Sequence, residues 1–135
     1  MILKIIFIMN RTEQYRLEAL MELAHSWPDG RSTAEIASRR GIPSAYLSRL
    51  LAELARTGWV LSRRGPNGGV TLAKAPDAIS VGAVYRPQRT ETSLPPALDR
   101  LANRIDRAVN ESISTISLAD LVRWENRTAT TDYSI

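Results

Sequence analysis

The chain has no cysteine and only one histidine, His25, among its 135 residues. Without thiols there is no disulfide, no thiol redox switch and no thiolate-held metal or iron–sulfur cluster. A single imidazole cannot build a multi-histidine metal site. Aromatic residues are scarce at 6%, so a core must come mainly from Leu, Ile, Val and Ala. No apolar run is long enough to cross a membrane; the mostly apolar stretch Met1 to Ile8 has eight residues, Lys4 among them, and no cleavage-like sequence after it. With neither span nor export signal, the expected compartment is the cytoplasm. Met9 opens a polar segment that resembles a natural start. Residues 1–9 therefore read as a dispensable N-terminal extension, or as a strand or helix packed on a partner subunit.

What is present is basic and well patterned. Net charge is +4, and between residues 11 and 74 ten Lys/Arg face six Asp/Glu. The whole excess thus falls in the first half, which favours an anionic partner, nucleic acid above all.

Leu17, Leu20, Met21, Ala24 and Trp27 recur at helical spacing, with Thr12 available as a cap and Pro28 to Gly30 as a stop. Ser32 and Glu35 form a capping box for a short helix that Gly41 ends. A third helix over 44–57 carries Tyr46, Leu47, Leu50, Leu51, Leu54 and Ala55 on one face. Trp59 to Arg63 and Val70 to Ala73 alternate like strands around a glycine-rich turn. The order helix, helix, helix, strand, turn, strand predicts a winged helix-turn-helix over residues 10–78, mainly α with a small β-wing.

Beyond it, Ser80 to Tyr85 reads as a short helix. Ser93 stands as a cap for a long one, with Pro95 and Pro96 in its first turn. Leu94, Leu98, Leu101, Ile105, Ala108, Ser112 and Ile116 follow heptad spacing, the signature of a helix that pairs with a second copy. Residues 79–126 are thus expected to be dimerisation helices, closing with Ser117 to Val122, and 127–135 a loose tail.

In a helix-turn-helix the first turns of the second helix reach base edges in the major groove. Ser44, Ala45, Tyr46, Ser48 and Arg49 hold those positions, with Thr33 at the start of the preceding helix. Tyr46 suits packing or a phosphate better than base reading. The wing places Arg63 and Arg64 beside Gly65, Pro66, Asn67, Gly68 and Gly69, where an arginine can enter a narrow minor groove. There is no nucleophile–base pair, and the glycine turn lacks the Lys-Ser/Thr of a phosphate-binding loop, so no enzyme is expected. His25 reads as a surface residue, Trp59 and Trp124 as packing, and Asp120 as a cap or an interface residue.

Tyr15 to Leu20, Ser32 to Ala37, Gly41-Ile42, Tyr46-Leu47, Leu50-Leu51, Leu54, Gly58, the Arg64 to Gly69 wing, Leu72-Ala73, Ile79 to Gly82 and Ser117 to Leu121 together resemble the Rrf-type winged helix-turn-helix transcription regulators (IscR/NsrR/CymR-like). The resemblance covers residues 10 to 123. It implies a dimer on a pseudo-palindromic operator in double-stranded DNA, most often as a repressor. Three departures stand out. The segment 86–93 lacks the three cysteines that hold a cluster in many members, so no cofactor is expected. Val70 follows the wing glycines where the family often has an aromatic residue. Pro43 stands where the family often has a serine cap. An effector, whether small molecule or protein, is not legible. The alternative reading is a winged-helix module that binds another protein, such as a metabolic enzyme, instead of DNA.

Overall fold

A computed structural model describes residues 10–64, 69–85 and 93–133. The expectations for residues 1–9, for the 86–92 loop and for Gly65, Pro66, Asn67 and Gly68 at the wing tip lie outside the described residues. Helix α1 spans Arg11–Ser26, α2 Thr33–Arg40 and α3 Ser44–Arg56. Strands β1 (Val60–Arg63) and β2 (Gly69–Leu72) pair antiparallel, with Val60 opposite Leu72 and Arg63 opposite Gly69. A 3₁₀ turn at Pro76–Ala78 leads to the short α4 (Val81–Val84), the long α5 (Pro96–Ile113) and α6 (Leu118–Tyr133). This is the mainly helical fold with a two-stranded wing that the sequence predicts.

The core lies where the apolar stripes of α1, α2 and α3 converge over the hairpin. Leu20, Leu23, Ile36, Leu47, Leu54, Val60, Ile79, Val84 and Leu118 have almost no exposed surface. Burial of this kind stabilises by roughly 1.5–3 kcal/mol per large side chain.

Local chemistry sets the element ends. Asn10, not Thr12, caps α1, its side chain accepting from the Glu13 N–H at 2.9 Å. Ser32 caps α2 by accepting from the Glu35 N–H, and Gly41 stops that helix in the left-handed region at φ 64°, where a side chain would be strained. Pro43 occupies the cap position of α3 and makes no side-chain cap bond. Pro95 does the same for α5, so Ser93 is not its cap.

The hairpin is bound to the helical body on its inner side. Arg31, in the loop after α1, exchanges two backbone hydrogen bonds with Val70 of β2, at 2.9 and 2.8 Å. A Cβ on Gly69 would lie 2.6 Å from the Arg31 carbonyl oxygen. Glycine is therefore required there by close packing of this loop on β2.

The C-terminal segment departs from expectation in two ways. Helix α6 continues through Tyr133, where a loose tail was predicted from residue 127. Ile116 falls beyond the end of α5 and packs on the chain's own core, so it does not continue the exposed stripe. Helix α6 starts on a capping box: the Ser117 N–H donates to Asp120 Oδ2 at 2.9 Å, and the Asp120 N–H to Ser117 Oγ at 3.1 Å. The Ser117 N–H and then Arg123 hold the Asp120 carboxyl below its ordinary value. Helix α6 then returns to the first half of the chain. Glu125 accepts two hydrogen bonds from Arg40, at 2.7 and 2.9 Å, and lies 2.7 Å from His25 Nε2. These contacts with Arg40, then His25, depress its pKa to about 2. His25, read from the sequence as a surface residue, thus has a partner one hundred residues away.

Candidate nucleic-acid interface

Helix α3 divides cleanly. Leu47, Leu50, Leu51 and Leu54 are buried against the core, while Ser44, Ala45, Ser48 and Arg49 are exposed on the opposite side. The buried face follows from apolar residues three and four apart, and it turns the small polar residues outward. Tyr46 lies between the two faces. It is partly buried, hydrogen-bonds Thr12 through its hydroxyl, and meets Tyr15 edge to face with ring centroids 5.6 Å apart. Its principal contacts are therefore with α1, as packing. Thr33 is the first residue of α2 and is half-buried.

In the hairpin, Arg63 and Arg64 are exposed at the end of β1. Gly69 begins β2 and lies against the Arg31 backbone.

Arginines of the first half of the chain differ in their partners. Arg16 is buried and pairs with Glu13 and Glu53; Arg31 pairs with Glu22 and Glu35; Arg40 pairs with Glu22 and Glu125. Of these six carboxylate contacts, Arg16–Glu13 lies within α1 and the other five join separate segments of the fold. Arg11, Arg49, Arg63 and Arg64 are exposed and have no carboxylate partner among the described residues, as is also true of Arg39, Arg56 and, on α5, Arg100, Arg104 and Arg107. Guanidinium groups that lack an internal counter-charge are available to phosphates. Sequence reasoning named Arg49, Arg63 and Arg64 but passed over Arg11, which no motif marks.

The predicted dimer stripe is exposed in the single chain. Helix α5 contains no buried residue, and Leu98, Leu101 and Ile105 are 50%, 53% and 53% exposed. Ala108 and Ser112 are also exposed on α5, and Leu94 is exposed just before it. Helix α5 is held mainly near its end, where α4 approaches so closely that a Cβ on Gly82 would lie 2.8 Å from the Ser114 Cα. Trp124 on α6, expected to pack, is half exposed; Trp59 does pack on the core.

Residues 9–124 match the Rrf2 family, described as iron-dependent transcriptional regulators. The HTH-type transcriptional regulator IscR of Erwinia tasmaniensis is 44% identical over 72 residues, covering 53% of this chain and 44% of that protein. The chain spans about half the length of the curated relatives it matches. Among solved structures, T. potens IscR superposes with a TM-score of 0.72 at 29% identity, over 84% of each chain. CymR, the global cysteine regulator of B. subtilis, gives 0.69 at 31% identity, over 84% of this chain and 95% of that one. Iron does not suit the residues present here. The chain has no thiolate, and no group of three His, Cys, Asp or Glu gathers among the described residues. With a family match over most of its length and the winged-helix architecture to support it, the chain belongs to the Rrf2 family of transcriptional regulators.

Proposed function

We propose that the protein is a sequence-specific DNA-binding regulator, a cytoplasmic repressor that acts as a homodimer on a pseudo-palindromic operator without an iron–sulfur cluster. The observation that carries this reading is the placement of Arg49, Arg63 and Arg64. Arg16, Arg31 and Arg40 are taken up by carboxylates of the fold, while Arg49 on the outer face of α3 and Arg63 and Arg64 at the wing are exposed without a carboxylate partner among the described residues. On this reading Ser44, Ala45, Ser48 and Arg49 meet base edges in the major groove. Arg63 and Arg64 follow the minor groove beside the wing. Leu98, Leu101 and Ile105 meet the same residues of a second copy, which sets the two recognition helices on one face of the duplex about one helical turn apart, or a multiple of it.

The test is selection of bound fragments from the source genome with the purified protein, followed by salt titrations of Arg49→Ala and Arg64→Ala on the recovered operator. Arg64→Ala should weaken binding to all A·T-rich variants and reduce the salt slope by about one unit. Arg49→Ala should cost ~1–3 kcal/mol and relax preference at one base pair per half-site. If wild type shows no preference over random duplex, the reading fails. A winged-helix module for binding another protein, such as a metabolic enzyme, then takes its place.

A further inference from the structure

Arg11 opens α1 and Arg49 stands in the second turn of α3, and a pair of tyrosines joins them. The Arg11 Cζ lies 5.8 Å from the Tyr15 ring centroid, and the Arg49 Cζ lies 5.9 Å from the Tyr46 centroid. The two rings meet edge to face. Arg11 Nη1 donates to the Tyr15 hydroxyl oxygen at 3.4 Å, and Thr12 shares a hydrogen bond with the Tyr46 hydroxyl. The first turn of α1 and the exposed side of α3 therefore carry one continuous cluster: Arg11, Tyr15, Tyr46, Arg49.

Its charge is unbalanced. Neither arginine has a carboxylate partner among the described residues, and the acids nearest to them in sequence, Glu13 and Glu53, are both engaged by buried Arg16. The ring faces offset part of the repulsion between the two cations, and an anion would offset more. Tyr15 adds a donor: its oxygen accepts from Arg11, which leaves its own proton to give. The cluster also lies at the positive end of a 16-residue helix.

We infer that the first turn of α1 is a phosphate site for the DNA backbone, carried by Arg11 and Tyr15 and continuous with Arg49 on the recognition helix. The inference rests on the DNA-binding reading above and adds to it a contact point on α1. A phosphodiester takes charge-assisted hydrogen bonds from a guanidinium and a further bond from a phenol. Phosphate contacts of this kind fix where a protein sits on the duplex without reading its sequence. Arg11 thus sets the register of α3 in the groove, and the tyrosine pair keeps the two contact points at a constant separation.

The experiment compares Arg11→Gln, Arg11→Lys and Tyr15→Phe with wild type in salt titrations, on the selected operator and on a short mixed-sequence duplex. Arg11→Gln should lose about threefold to tenfold in affinity on both duplexes and reduce the salt slope by about one unit, with base preferences unchanged. Arg11→Lys should restore the slope. Tyr15→Phe should weaken binding by a smaller factor, and combined with Arg11→Gln it should add less than its single effect, because both serve one phosphate. Thermal melting of each variant separates loss of fold from loss of contact. Wild-type slope and affinity in Arg11→Gln would overturn the site, as would a failure of Arg11→Lys to restore the slope. A change confined to one base pair would make Arg11 a base reader and overturn it too. If wild type binds operator no better than mixed sequence yet Arg11→Gln still reduces the slope, the phosphate site stands and the sequence-specific reading fails. If wild type binds neither duplex, both fail.

Discussion

Helices α1 and α5 are nearly equal in length, 16 and 18 residues, and both carry an apolar stripe, yet α1 buries seven residues and α5 none. The difference lies in what covers them. The stripe of α1 meets α2, α3, β2 and α6 of its own chain, while α5 is held mainly near its end, beside α4. An apolar stripe thus reports only that a helix has a partner. Whether that partner belongs to the same chain is decided by the topology around it. In α1 the stripe supplies the fold, and in α5 it stays exposed in the single chain, where the proposed function places a second copy.

Substitution separates the two cases. Leu20→Ala in α1 should cost ~2–5 kcal/mol by removing buried contacts and leaving a cavity. Its melting temperature should drop by the same amount at every protein concentration. Leu101→Glu combined with Ile105→Glu should abolish the dimer, giving monomer or insoluble protein, because a two-fold interface buries each side chain twice at roughly 1.5–3 kcal/mol apiece. Wild type should melt at higher temperature as concentration rises, and the double variant should not. Sedimentation reads the mass directly, and a stable wild-type monomer at micromolar concentration would remove the contrast between the helices.

A smaller effect belongs to α6, which is held by charge as well as by apolar packing. Glu125 has a pKa of about 2 in the folded protein against an ordinary 4.5, because Arg40 and then His25 favour its ionised form. A carboxyl so depressed stabilises fully above its unfolded value, and the contribution fades as pH falls from about 4.5 toward 2. Partial exposure screens it to ~1–2 kcal/mol. Glu125→Gln should lower stability by that amount at pH 7 and flatten the acid limb of the stability profile across that window. An unchanged acid limb in the variant would show that Arg40 is satisfied by Glu22 alone.

Much of this was legible in the sequence, and the misses share a cause. The capping box at Ser32, the stop at Gly41 and the stripe of α3 are set by residues a few positions apart, and pattern reading placed them correctly. The Asn10 cap was passed over for Thr12 because both are good cap formers; Thr12 instead bonds Tyr46, 34 residues on. The extension of α6 beyond residue 126 was missed because Thr-rich sequence has weak helical preference of its own. The partner of His25 and the inward turn of Ile116 depend on how α6 folds back across α1, which no local window contains. Arg11 was passed over because no motif names it; its significance comes from which other arginines are already neutralised.

The pair of hydrogen bonds between Arg31 and Val70 also fixes a length. Through that seam β2 is hydrogen-bonded to the loop that joins α1 to α2, and β1 packs on α3, so the described strands of the wing and the recognition helix are held on one body. On the proposed function the protein then acts as a caliper with welded jaws. A duplex whose groove spacing departs from the set gap must itself bend or twist to fit, and the cost of that deformation falls on the DNA. Base pairs that no side chain touches would then influence affinity through their stiffness, so part of what the protein recognises in an operator would be mechanical.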